Sequence, residues 1–281
     1  MVSGEKASEL LLKDKIISGY CLLTFLTSDR GSGIVTNEVK KMRTNKMLAK
    51  IKAKEKVVGL QIPFCSPDLV ELMGIGGIDY VFVDCEHGSF SLSDVETMCR
   101  AAELAGVTPI VRVVNIEATT ILPFIVRGAM GIIGPHIRTK AQAEQLVGAC
   151  LFSPQGMRSY GNARGDYYGT YDPPAEHMRR ANEEMFICGM IEEEEGFRNL
   201  PQILTVDGLD FFKFGVHDIS LDMKLPGQFG HPKVKQAIEK AKKQIRTAGK
   251  MVTDDVMWEG TVSDLFLNAA RAFAAKGRGG N

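Results

Sequence analysis

Residues 77–87 run GIDYVFVDCEH, an apolar stretch that ends in a knot of ionisable groups. Tyr80 to Val83 are continuously apolar, as a strand covered on both faces should be. Asp84, Cys85, Glu86 and His87 follow at once. A strand of this kind belongs to a parallel sheet layered with helices. In a barrel built that way, the polar groups at the C-terminal ends of the strands converge on one mouth.

The same beat extends in both directions. Upstream lies the apolar run VVGLQI (57–62), with a helix start at Pro67 to Leu72. Downstream, a helix starting at Ser91 to Asp94 runs to Gly106, and TPIVRV (108–113) is the third strand, backed by a helix over 118–127. GIIGPHI (131–137) is the fourth strand, with its helix at 139–152, and a glycine-rich insertion spans 153–174. After a helix at 175–184 come FICGMIE (186–192), a helix around 200–204, FFKFG (211–215), a charged periodic helix at 231–248 and MVTDDV (251–256). Seven strands alternating with helices predict parallel crossovers. The 281-residue length suits one closed (β/α)8 TIM barrel, which takes about 250 residues. No GxGxxG or P-loop follows a strand, so the usual sign of a nucleotide fold is absent. Residues 46–281 are thus expected to form a single barrel domain, and 1–45 an irregular appendage.

Lys+Arg and Asp+Glu both total 34, giving zero formal charge. Nucleic acid and anionic membrane surfaces are therefore not expected as partners. The six cysteines show no CxxC or CxxH spacing, which fits a reduced, cytoplasmic setting. The apolar stretch at 16–27 is interrupted by Ser18, Gly19 and Thr24 and falls short of the ~20 residues that span a bilayer.

Strand two ends in Asp84, Glu86 and His87, strand three in Arg112, strand five in Glu192, and strand six runs into His217 and Asp218. Glu192 and Asp218, on different strands, suit a hard divalent cation that keeps water and substrate oxygens, and such an ion can polarise a 2-oxo acid. Arg112 offers a cationic fork for an enolate oxygen or a carboxylate. His87 suits a general base oriented by a carboxylate such as Asp84. Plainer readings stand beside these: Asp218 as a helix N-cap, Glu193 to Glu195 as an acidic helix start, and Arg112 as an ion-pair residue. His136, His177 and His231 read as structural or solvent-exposed, and the tyrosines at 160, 167, 168 and 171 as packing for the insertion.

At these residues the chain resembles the metal-dependent pyruvate aldolases of the HpcH/HpaI family, which includes 4-hydroxy-2-oxoheptanedioate aldolase, 2-dehydro-3-deoxyglucarate aldolase and macrophomate synthase. The resemblance rests on GIDYVFVDCEHGSFSL, PIVRV, GAMGIIGPHIRTKAQAEQLV, SPQGMRSYG, MIEEEEGFRNLPQIL and FGVHDISLDMKLPGQFGHPKV, in that order over roughly 46–250. It implies a lyase that reversibly cleaves a 2-keto-3-deoxy sugar acid or 4-hydroxy-2-oxo acid to pyruvate and an aldehyde. The pyruvate enolate would be stabilised by magnesium, manganese or cobalt on Glu192 and Asp218. His87 would be the acid/base and Asp84 its orienting partner, with Glu86 in supporting contacts. Arg112 would stabilise the enolate, and the backbone amides of Gly215, Val216 and His217 would receive the pyruvate carboxylate. It further implies a homo-oligomer, commonly a hexamer built as a trimer of dimers. Met190 stands where the family commonly has Gln, Arg127 where Asp is usual, and Val216-His217 where Pro or a small residue is usual.

One stretch departs further. Only MWEG separates MVTDDV from TVSDLFLNAARAFAAKG, which resembles the family's last strand and helix, so the crossover between the last two strands is shortened. Two alternatives follow: enolate chemistry that begins with oxaloacetate decarboxylation, as in macrophomate synthase, or a non-catalytic barrel serving as a binding or assembly subunit.

Overall fold

The computed structural model describes residues 42–170 and 173–279, all within one compact unit. The appendage expected at 1–45, except for its last four residues, and Tyr171 lie outside the described residues. Eight strands form one parallel sheet in the order β7-β6-β5-β4-β3-β2-β1-β8, the strand sequence of a TIM-like barrel with β7 and β8 at its two edges. The strands are β1 (Val57–Ile62), β2 (Tyr80–Asp84), β3 (Thr108–Arg112), β4 (Gly131–Gly134), β5 (Phe186–Ile191), β6 (Phe211–Phe214), β7 (Met251–Val252) and β8 (Met257–Thr261).

The helices are α1 (Lys46–Lys52), α2 (Pro67–Ile75), α3 (Leu92–Ala105), α4 (Ala118–Ile125), α5 (Lys140–Cys150), α6 (Pro174–Glu183), α7 (Glu194–Ile203), α8 (Val216–Asp222), α9 (Pro232–Thr247), α10 (Thr253–Val256) and α11 (Val262–Gly277). Their starts follow local chemistry. Ser91 and Asp94 form a reciprocal capping box on α3, and Thr139 and Gln142 do so on α5. Each satisfies two orphan N–H groups and is worth about 1 kcal/mol.

Alternate strand residues divide the core into two layers. Tyr80, Phe82, Ile110, Ile133, Phe186, Met190 and Phe211 fill the inside of the sheet, while Val81, Val83, Val111, Ile132 and Phe212 pack outward against helices. This two-sided burial explains why the strands read as unbroken apolar runs. Met47, Leu48 and Ile51 of α1 join the inner layer, and the Asn45 side chain donates to the carbonyls of Met130 and Glu184 at 3.0 Å. Those residues precede β4 and β5, so α1 closes the N-terminal floor.

The insertion at 153–174 is anchored by a buried pair, Arg158 to Asp166 at 2.6 Å, with His177 Nε2 3.2 Å from the same carboxylate oxygen. Of the two readings the sequence left for His177, structural or solvent-exposed, the second fails: the residue is 2% exposed and packed into this anchor. His231 is exposed enough to cap α9, its ring accepting from the Lys233 amide at 3.2 Å.

The C-terminal end corrects the strand assignment. MVTDDV is a strand for two residues only; Thr253–Val256 then form a single helical turn, and MWEGT, expected as a link and the start of the last strand, is β8 itself. The reason is local chemistry. Asp254 and Asp255 occupy the first turn of α10, where acidic groups meet the positive end of the helix dipole. Met251 pairs with Phe211 and Met257 with Val57, both at the N-terminal ends of their neighbours. One turn therefore carries the chain sideways from β7 to β8, and the shortened crossover is real.

Candidate active site

Asp84 and Arg112 are the last residues of β2 and β3 and are paired in register. Arg112 donates through Nε to Asp84 Oδ1 at 2.8 Å and through Nη2 to Oδ2 at 2.6 Å, and Gln61 Nε2 adds a bond to Oδ2 at 2.7 Å. Asp84 is 2% exposed. Burial pushes its carboxyl up, but the Arg112 fork and Gln61 outweigh that, so it sits below the ordinary carboxylate value. Burial likewise lowers the Arg112 guanidinium, and Asp84 more than reverses it. The two-bond fork orients the pair, and each partner favours the charged form of the other.

Glu86 connects this unit to a second one. Its Oε2 lies 3.2 Å from Arg112 Nε and its Oε1 lies 3.4 Å from His136 Nε2. His136 Nδ1 is 3.3 Å from Glu192 Oε1 and 3.1 Å from Glu193 Oε1, and the His136 amide donates to Glu192 Oε1 at 2.7 Å. His136 adopts φ +54°, a left-handed conformation costly for a side chain of this kind, and its amide bond to Glu192 holds it there. Sequence reasoning missed it: GPH follows β4 at the same rim, which was the available signal.

Glu192 is 1% exposed and its Oε2 has no hydrogen-bond partner. Burial raises its carboxyl above the ordinary value; the His136 amide and ring oppose this, and the negative charges of Glu86 and Asp218 reinforce it. A Cβ built on Gly215 would come within 2.1 Å of that same Oε2, so only glycine lets the start of α8 approach. Asp218 lies in the first turn of α8 and is not its N-cap, a position held by Gly215. The acidic-helix reading holds for Glu194 and Glu195, which lie in the first turn of α7 behind Glu193 as N-cap.

His87 is placed differently from expectation. Its ring is 66% exposed and its nearest carboxylate is Glu86, with Nε2 to Oε2 at 3.8 Å. Asp84 meets only the His87 backbone amide, at 3.4 Å, because both its oxygens are committed to Arg112 and Gln61. Gly88 makes the turn possible, since a Cβ there would strike the Asp84 carbonyl at 2.2 Å. The His217 ring packs on Phe229, centroids 4.4 Å apart, and Val216 packs with Ile219, Met223 and Val234. Met190 brings its sulfur within 4.0 Å of Arg112 Nη1. Cys85, beside Asp84, is no nucleophile: burial pushes its thiol up to about 12.

Among the described residues no group of three or more His, Cys, Asp or Glu is arranged to hold a metal ion. What fits a cation is a smaller donor set: the buried Glu192 carboxylate with an unpartnered oxygen, raised chiefly by burial and further by the charges of Glu86 and Asp218. Two oxygen donors suit an ion that keeps water and substrate ligands.

The HpcH/HpaI aldolase/citrate lyase family model matches residues 58–281. The chain belongs to that family. It is 31% identical over 233 residues to a hydroxypyruvate/pyruvate aldolase of Pseudomonas aeruginosa, covering 83% of this chain and 86% of that protein. It is 33% identical over 200 residues to a 4-hydroxy-2-oxo-heptane-1,7-dioate aldolase of Klebsiella pneumoniae, covering 71% and 75%. Among solved structures, an HpcH/HpaI aldolase from Desulfitobacterium hafniense superposes with a TM-score of 0.72 at 26% identity, covering 82% of this chain and 94% of that one. In this HpcH/HpaI family member the last two strands are joined by a single helical turn.

Proposed function

We propose that this aldolase-family lyase reversibly cleaves a 2-keto-3-deoxy sugar acid or 4-hydroxy-2-oxo acid into pyruvate and an aldehyde, with Glu192 and Asp218 as ligands for a divalent cation. The names of the relatives support the pyruvate-aldolase chemistry. The observation that carries the site is Glu192: a carboxylate 1% exposed, one oxygen unpartnered, linked through His136 and Glu86 to the Arg112 fork.

Each residue then has a task. Arg112, fixed by Asp84, stabilises negative charge that develops on the substrate's 2-oxo oxygen. The N–H groups of Gly215, Val216 and His217 receive the substrate carboxylate. His87 takes the proton from the 4-hydroxyl as the C3–C4 bond breaks, and returns a proton to C3 once the aldehyde has left. Glu86 holds His136 and Arg112 in place through its two oxygens. A divalent cation, of magnesium, manganese or cobalt type, would supply Lewis-acid polarisation of the 2-oxo group.

We further assign residues 46–281 to one catalytic domain, place the protein in the cytoplasm and expect a homo-oligomer, a hexamer or trimer of dimers. Two facts support the location: no helix among the described residues is long and apolar enough to cross a membrane, and the described cysteines are free. Exposed apolar side chains on α11 support the assembly.

The deciding experiment follows pyruvate released from 2-dehydro-3-deoxyglucarate and from 4-hydroxy-2-oxoheptanedioate, with magnesium or manganese and again after chelation. Glu192→Gln keeps shape but removes the charge, and should lower kcat/KM by about 100-fold or more. Release indifferent to both chelation and Glu192→Gln would sink the proposal.

A further inference from the structure

A second charged site lies at the other end of the barrel. The last turns of α3, the residues after α4 and the 3₁₀ turn Arg164–Gly169 meet Arg43, at the level where β3 and β4 begin. Arg43 and Arg164 both pair with Glu103. Arg164 Nη1 donates to the Arg127 carbonyl at 2.9 Å, and Arg127 Nε lies 3.9 Å from Glu96. Arg100 Nη2 donates to the same Glu96 at 2.6 Å. Four guanidinium groups thus share two carboxylates, in a chain whose formal net charge is zero.

Between them is a cavity of about 280 Å³ lined by Arg43, Arg100, Glu103, Arg164, Tyr167 and Tyr168. Three guanidiniums face one carboxylate there, and burial together with the charge of Arg100 holds Arg164 below its ordinary value. Tyr167 (φ +52°) and Tyr168 (φ +58°) are consecutive non-glycine residues in the left-handed region, a strained turn that brings both side chains to this cavity.

We propose that this cavity binds a phosphoryl-bearing small anion at a site separate from the mouth of the barrel. Planar guanidinium forks match tetrahedral phosphoryl oxygens, the Tyr168 hydroxyl adds a neutral donor, and the volume sits just below the ~300–1,000 Å³ of drug-sized pockets. The N-terminal face of such a barrel serves stability rather than chemistry. Arg43 leads directly into α1, the floor of the inner core, so an anion that draws Arg43, Arg100 and Arg164 together tightens the floor. The inference stands independently of the aldolase reading.

The test is calorimetric titration of the whole chain with inorganic pyrophosphate in a chelating, metal-free buffer, with and without excess pyruvate. One saturable site is expected, unmoved by pyruvate and weakened about tenfold or more by Arg100→Ala, an exposed residue whose loss leaves the fold intact. Arg278→Ala, exposed and distant in sequence, should bind as the parent protein does. Absence of saturable binding, displacement by pyruvate, or unchanged affinity in both Arg100→Ala and the Arg100→Ala/Tyr168→Phe double variant would overturn the site. Equal affinity for malonate would overturn the phosphoryl class.

Discussion

Asp84 holds Arg112 in its buried position, and its ionisation is the cleanest residue-scale handle on the site. Removing the cation by Arg112→Ala leaves a carboxylate that is 2% exposed without its partner, a loss of about 3–5 kcal/mol in a chemical denaturation series. The pH dependence has a definite sign. Because the folded-state value of Asp84 is depressed, its contribution is fully present above the ordinary carboxylate value of about 3.9 and is lost as pH falls through the lower folded value. The stability gap between the parent protein and Asp84→Asn should therefore close as pH drops below about 4, and a gap that stays constant refutes the pairing. Asp84, Arg112 and Glu192 were legible in the sequence because each terminates an apolar strand. His136 was not, since its role comes from a backbone twist that brings its amide to Glu192 and its ring between Glu86 and Glu192.

Among the elements, β8 departs most from the pattern. With β7 only two residues long, the inner wall between β6 and β8 is joined by a side-chain link: Lys213 Nζ to Glu259 Oε1 at 2.7 Å, with Tyr80 donating to Glu259 Oε2 at 3.3 Å. On the outside, Arg246 of α9 grips Asp255 at 2.8 and 2.7 Å, and Lys242 reaches Asp254 at 2.9 Å. Among the described residues no crossover helix shields the outer face of β8, and Trp258 is 73% exposed. Glu259→Ala should cost about 2 kcal/mol and speed hydrogen exchange along β8, while Lys213→Met combined with Glu259→Met should cost less than the sum of the singles. Additive single effects would show that the two residues do not act as a pair. The periodicity that marks a strand was weak here, because MWEGT has inner residues of mixed polarity, Met257 and Glu259, in a stretch of five.

At the scale of the whole molecule, α11 carries an apolar face that no other described residue covers. Leu265, Phe266 and Phe273 are exposed, Phe273 to 82%, and an apolar hollow of about 640 Å³ lies between α11 and Leu60, Phe64 and Leu69. A surface of this kind is uncommon on a monomer. The oligomer proposed above predicts that Phe266→Asp lowers the mass measured by light scattering and leaves far-UV circular dichroism unchanged. A monomeric parent protein, or a variant that keeps the parent mass, would refute it.

The sequence by itself determined the parallel strand–helix order, the doubly buried strands and the rim on which Asp84, Arg112 and Glu192 stand, because apolar period and strand-end polarity are local signals. Only the tertiary structure decided what each carboxylate faces. Asp84 is committed to Arg112 rather than to the His87 ring, Glu86 bridges two halves of the site, and Glu192 keeps an unpartnered oxygen beside Gly215. Those relations join residues from β1 to β6, far apart in the chain. They depend on ångström-scale distances and on exclusion of water, neither of which a one-dimensional pattern encodes.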